Sequence, residues 1–167
     1  MREPEGFRGF VEARYPSLVR FGTLLTADQG RGEDLVQEAL VKTLRAWGRL
    51  HPDGNPEAYT RRIMTHASWR AAKRLWRGEQ PTGELPERAA PDVYREVDTA
   101  DAVRRALASL PAQQRVVLVL RYWDHLSEAE IAGQLGISAG TVKSRASRAL
   151  AHLRSSGLLA DVVGGEA

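Results

Sequence analysis

The sequence predicts an all-α protein of two small helical domains joined by a flexible linker. Three observations carry that expectation. Apolar residues recur at a period near 3.6 through most of the chain, and a proline-containing acidic strip at 77–98 interrupts that periodicity. Residues 128–147, EAEIAGQLGISAGTVKSRAS, have the spacing of a DNA-reading helix-turn-helix. A chain of 167 residues suits one sizeable domain or two small ones, and a hydrophobic fraction of 43% supports folded cores while being too low for a membrane protein. No apolar run approaches the length of a spanning helix, and residues 1–30 lack the pattern of a signal peptide. With no cysteine and four scattered histidines, neither a disulfide framework nor a metal-ligand spacing is present. The expectation is a soluble, cytoplasmic chain with no metal, no cofactor and no membrane insertion.

The first periodic segment is 7–26, where Pro16 leaves the helix boundary ambiguous. The next, 33–47, divides into two faces. Leu35, Val36, Ala39, Leu40, Leu44 and Trp47 form the side to be buried, whereas Asp34, Gln37, Glu38, Lys42 and Arg45 remain for solvent or a partner. By composition alone a solvated face is the simplest account of Asp34 and Glu38, since no histidine or further carboxylate completes a metal site. HPDGNP at 51–56 is a turn cluster.

The segment 57–77 places Ile63, Met64, Ala67, Ala71 and Leu75 on one stripe at 100° per residue, the expected core face. Opposite lie Arg62, His66, Trp69, Lys73 and Trp76, and between 59 and 77 stand Arg61, Arg62, Arg70, Lys73, Arg74 and Arg77 with no acid among them. Two indoles amid cations suit stacking on unpaired bases beside a groove that follows phosphates. The competing reading is that both indoles pack against another helix or the returning linker.

Between 78 and 101 the charge reverses, with Glu79, Glu84, Glu87, Asp92, Glu96, Asp98 and Asp101 against Arg88 and Arg95, while Pro81, Pro86 and Pro91 deny a regular helix. Helical periodicity resumes at 100–110 and 112–123, with Pro111 suited to the first position of a new helix. Segments 128–135 and 139–154 then form the helix-turn-helix. Ala132 is the small residue where the two helices touch, Gly136 the residue tolerant of positive φ in the turn, and Val142 the apolar anchor of the second helix. Ile131, Leu135 and Ile137 supply the buried face, and Ser138 is placed to cap the second helix. That helix presents Lys143, Ser144, Arg145, Ser147 and Arg148, side-chain types that reach phosphates and base edges in a major groove. An ordinary helical hairpin with a basic solvated face is the alternative. Two basic elements on either side of an acidic strip suggest two nucleic-acid contacts on one tether.

Taken together, D-L-V-Q-E-A at 34–39, R-R-I at 61–63 on a basic helix, L-P-A-Q-Q-R at 110–115 and G-I-S-A-G-T-V-K-S-R at 136–145 resemble an extracytoplasmic-function sigma factor of the sigma-70 family. The resemblance covers about residues 7–155 and is strongest to the SigE-like actinobacterial branch. It implies a region 2 domain over 1–76, an acidic linker over 77–98, a region 4 domain over 99–156 and a short tail over 157–167. By the resemblance, Asp34, Gln37 and Glu38 dock on the β′ coiled coil of core RNA polymerase. The −10 element is then read by Asp53, Asn55, Arg61, Arg62, His66, Trp69, Arg70 and Lys73. The −35 element falls to Ser138, Thr141, Lys143, Ser144, Arg145 and Arg148, while region 4 also contacts the β flap. The resemblance further implies an anti-sigma factor as a partner.

Elementary magnitudes agree with such a role. The linker extends to at most roughly 70 Å at ~3.3 Å per residue, and 16 base pairs of B-DNA measure roughly 55 Å, so both promoter elements are within reach at once. Readings from two other classes stand beside this one. A stand-alone helix-turn-helix repressor would bind an operator symmetrically without polymerase. A nucleic-acid enzyme would use the acids of 33–47 with a divalent metal.

Overall fold

The computed structural model describes residues 2–50, 53–78 and 99–158, and every regular element among them is a helix. In chain order these are α1 (Phe7–Thr26), α2 (Gln29–Leu50), α3 (Pro56–Trp76), α4 (Thr99–Ala108), α5 (Ala112–Tyr122), α6 (Glu128–Leu135) and α7 (Ala139–Ser155). The all-α expectation holds. The greater part of the predicted linker and of the tail, and two residues of the 51–56 turn, lie outside the described residues.

The α1 helix continues through Pro16, whose exposed ring meets solvent, because Leu18, Phe21 and Leu25 beyond it are buried and hold the remaining turns. Ala27 follows in the left-handed region (φ 58°) and reverses the chain. Asp28 then accepts a hydrogen bond from Arg31 N–H at 2.9 Å, which starts α2 four residues ahead of the predicted boundary. The α1 and α2 backbones pass so closely that a Cβ added at Gly32 would lie 2.6 Å from Thr23 N, and one at Gly22 would lie 2.7 Å from Gly32 O. Two glycines thus permit an approach that no larger residue would allow.

The buried side of α2 is close to the predicted one, with Val36, Ala39, Leu40 and Trp47 in the core. Phe7, Phe10 and Trp47 pack ring to ring at 5.3 to 6.4 Å, and the Trp47 indole donates to Glu5 O at 2.9 Å, which fastens the N-terminal residues.

For α3 the expected core stripe is rotated. Met64 is fully buried, yet Leu75 is 56% exposed and Ala71 is exposed, while Thr60, Thr65, Ser68, Trp69 and Ala72 are buried. Thr60 and Ser68 on this face carry their own partners. Thr60 Oγ1 donates to Pro56 O at 2.7 Å and lies 2.8 Å from Thr43 Oγ1, and Ser68 Oγ donates to Thr65 O at 3.1 Å. A hydroxyl satisfied by its own helix is buried at little cost, so a polar residue faces the core where hydropathy placed it outside.

In the C-terminal half, α5 is central, and Val116 through Leu120 are all buried. Pro111 proves to be the N-cap (φ −54°, ψ 142°), one residue before the predicted place. One hydrophobic cluster runs through both halves of the chain, from Leu18, Phe21 and Met64 to Val117, Leu120, Ile131 and Val142. The halves also meet through polar contacts, among them Arg115 Nη1 donating to Thr26 O at 2.7 Å. Among the described residues, no helix is long and apolar enough to cross a membrane.

Candidate nucleic-acid interface

The helix-turn-helix forms as its spacing predicts. Gly136 terminates α6 in the left-handed region (φ 69°), and its N–H donates to Ala132 O at 2.9 Å while Ile137 N–H donates to the same carbonyl at 3.2 Å. Ile131 and Val142 are fully buried, and Leu135 nearly so. Ser138 accepts from Thr141 N–H at 3.1 Å and so caps α7, with the Thr141 hydroxyl 2.8 Å from its own. A second cap was not anticipated: Ser127 accepts from Glu130 N–H at 3.1 Å at the start of α6. The serine three residues before an acid was the available signal.

Along α7, Lys143, Ser147 and Arg148 are exposed, and Thr141, Ser144 and Arg145 are half-buried. The Ser144 hydroxyl donates back to Thr141 O at 3.1 Å. Arg145 behaves differently from its neighbours. Its guanidinium lies over the Trp69 ring, 5.3 Å from the centroid, and burial followed by the charge of Arg148 lowers its pKa.

The second basic element, α3, is reached through Asn55, whose side chain accepts from Ala58 N–H at 3.0 Å and caps the helix, with Pro56 at its first position. Asp53 precedes it on the surface. Arg62 and Arg70 are exposed and Lys73 is half-buried, so these three cations face outward. The other predicted members of the set turn towards the C-terminal half. Arg61 pairs with Glu57 at 3.3 Å and with Asp124 at 3.0 Å, and it also covers the Phe21 ring at 4.8 Å. His66 Nε2 donates to Gln134 O at 3.1 Å. Trp69 is 4% exposed, whereas Trp76 at the end of α3 is 80% exposed. The two indoles expected to share one fate are therefore separated, one under the helix-turn-helix and one in solvent beside Lys73, Arg74 and Arg77.

Asp34, Gln37 and Glu38 are exposed on α2, as expected. Gln37 Nε2 donates to the Tyr15 hydroxyl at 3.3 Å, and Glu38 meets Lys42 at 3.5 Å. Beside them opens a cleft of about 380 Å³ lined by Arg31, Asp34 and Glu38 from α2 and by Arg70 and Arg74 from α3. Acids of one helix and cations of the next thus share a mixed-charge surface, suited to a macromolecular partner. Among the described residues, no group of three or more His, Cys, Asp or Glu is placed to hold a metal ion.

Asp124 was not foreseen as part of any site. Burial pushes its carboxyl above the usual aspartate range, and the Arg61 guanidinium offsets only part of that. Its partner is 63 positions away in sequence, so nothing local announces the pair.

Residues 10–78 match the family model described as sigma-70 region 2, and residues 100–153 match that of sigma-70, region 4. The chain is 38% identical over 156 residues to an RNA polymerase sigma-E factor of Streptomyces coelicolor, covering 92% of this chain and 87% of that one. It is 34% identical over 149 residues to the ECF RNA polymerase sigma factor SigM of Mycobacterium tuberculosis, covering 88% and 74% respectively. Among solved structures it is similar to the sigma factor RpoE of Bartonella quintana in complex with the anti-sigma factor NepR. That likeness has a TM-score of 0.64 and 28% identity, over 93% of this chain and 98% of that one.

Proposed function

The chain belongs to the extracytoplasmic-function group of the sigma-70 family, and from that membership we propose a division of labour among its surfaces. As an RNA polymerase sigma factor it directs promoter-specific initiation and is not itself an enzyme. Region 2 spans 1–76, the linker 77–98, region 4 spans 99–156, and 157–167 forms the tail.

The single observation that carries the assignment is that Asp34, Gln37 and Glu38 stand exposed together on α2, opposite its buried Val36 and Ala39. This face docks on the β′ coiled coil of core polymerase. Asp53, Asn55, Arg61, Arg62, His66, Trp69, Arg70 and Lys73 contact the −10 element, with Arg62, Arg70 and Lys73 holding phosphates while the other side chains meet bases. Lys143, Ser144, Arg145 and Arg148, with Ser138 and Thr141 at the helix start, engage the −35 element, and region 4 also reaches the β flap. The chain works in the cytoplasm, where polymerase and promoters are found. An anti-sigma factor belongs to this reading, supported by the similar Bartonella quintana sigma factor having been solved with one.

Binding to core polymerase in competition with a housekeeping sigma factor tests the assignment. Wild type binds tightly and Glu38→Arg does not. A folded wild type that fails to bind core would overturn the docking face and leave a DNA-binding regulator of the repressor kind.

A further inference from the structure

We propose that Trp76, together with Arg74 and Arg77, anchors the factor on paired promoter DNA immediately upstream of the −10 element. Trp76 is 80% exposed in the same conformation that leaves Trp69 only 4% exposed, and Leu75 beside it is 56% exposed. Its surroundings select a polyanion as the partner. Arg70, Arg74 and Arg77 are exposed and Lys73 is half-buried, and none of the four forms an ion pair among the described residues. Lys73 and Arg74 stand in the last turn of α3, where they offset the negative carbonyl end of the helix that would otherwise repel a phosphate. At ~100° per residue Arg62, Lys73 and Trp76 fall within roughly 60° of one another. One line of side chains therefore runs along α3 from the −10 contacts to its far end.

The length of α3 decides which DNA this end meets. From Pro56 to Trp76 the helix rises ~30 Å at ~1.5 Å per residue. The same ~30 Å of B-DNA is about nine base-pair steps at ~3.4 Å each. Bases taken by Asp53 and Asn55 at the first end are thus out of reach of Trp76; the inference rests on that −10 role. Beyond Arg77 the chain runs on to region 4 and the −35 element, so the Trp76 end points upstream, where the strands stay paired.

Paired bases expose no face to an indole. Trp76 instead packs across deoxyribose rings at a groove edge and donates its N–H to a phosphate, while Arg74 and Arg77 take neighbouring phosphates. Such a contact is indifferent to base sequence and is made before the strands separate. It therefore contributes to the first, closed complex and not to the melting step.

Holoenzyme carrying Trp76→Ala tests this, since removing so exposed a side chain leaves the fold intact, as the thermal unfolding of the free chain will report. Closed-complex affinity is expected to fall roughly 3- to 10-fold, with the rate of strand opening unchanged and most of the affinity restored by Trp76→Tyr. The salt dependence of binding should stay as in wild type for Trp76→Ala and lose about one unit of slope for Arg74→Ala. On a fork template whose duplex ends at the upstream edge of the −10 element, Trp76→Ala and wild type should bind alike. An equal loss on that template places the indole on the −10 element itself and overturns the proposal. So does weakened binding to core polymerase without DNA, which would make Trp76 a protein contact. Arg62→Ala is the control for the underlying assignment. If it weakens binding on both templates while Trp76→Ala weakens neither, only the upstream contact is refuted; if neither variant matters, the −10 role of α3 falls and the upstream contact with it.

Discussion

Burial decides what individual side chains do in this molecule more than their polarity does. Asp124 is the clearest case, because its pKa is raised by burial against the opposing pull of Arg61. A raised folded-state pKa means that the folded form binds the proton more readily than the unfolded chain. Stability from this group is therefore gained as pH falls through the raised pKa towards the ordinary aspartate value, and it is lower above that window. Replacing Asp124 with Asn removes this dependence and keeps an acceptor for Arg61, so the variant should unfold within about 1 kcal/mol of wild type at neutral pH. Urea titrations at neutral and mildly acidic pH check both statements, and a loss of several kcal/mol at neutral pH would refute them. The residues that misled sequence reading are of the same kind. Thr60 and Ser68 face the core because neighbouring oxygens satisfy their hydroxyls, a property no hydropathy scale carries. Trp69 fell on the outward face of a helical wheel whose core stripe had been drawn through Leu75, which is 56% exposed.

Helix termini and crossings were legible to different degrees. The turn of the helix-turn-helix was fully readable, since Gly136, Ser138 and Val142 each perform the local task their type performs best. The two caps permit a clean comparison. Ser127→Ala and Ser138→Ala should each cost about 1 kcal/mol of stability, but only Ser138→Ala, at the start of α7, should also weaken binding of the holoenzyme to the −35 element. Equal effects on DNA binding from both variants would count against α7 as the reading helix. The α1–α2 crossing left less trace, because a glycine that admits a neighbouring backbone looks like any other glycine in sequence. At Gly32 an added methyl would meet Thr23 N at 2.6 Å, and backbone yields little. Gly32→Ala should lower stability by about 1–3 kcal/mol in spite of alanine's better helix propensity. Gly9→Ala, where an added Cβ meets nothing within 4 Å, serves as the control and should be neutral or stabilising.

At the scale of the whole chain, composition and periodicity predicted two tethered domains, and the structure adds that their described parts share one hydrophobic cluster. That adjacency was not legible, because its contacts join residues such as Arg61 and Asp124 that are distant in sequence and lie on elements that look complete by themselves. The energetics of promoter opening belong here too. Separating about ten base pairs forfeits on the order of 14 kcal/mol at ~1.4 kcal/mol per stacked step, whereas stacking two captured bases returns only about 2–6 kcal/mol. The chain alone is therefore expected to leave promoters closed, and permanganate footprinting should find reactive thymines at −10 only when core polymerase is present. Reactivity with the chain alone would show that some further source of binding energy had been missed.

The position of Arg145 over Trp69 has a consequence for how such a factor can change over generations. On the −35 role proposed for Arg145, the same side chain serves promoter choice and the packing of α7 against α3, so the two traits are inherited together. Under that proposal, a substitution at Arg145 that shifts the preferred −35 sequence also loosens the hold on Trp69. Lineages that acquire new targets by this route would have to restore the packing between the halves elsewhere, for instance at the Arg61–Asp124 pair. Anyone retargeting the factor for a synthetic circuit meets the same linkage and would do better to alter Lys143 or Arg148, which are exposed and take no part in the described contacts between the halves.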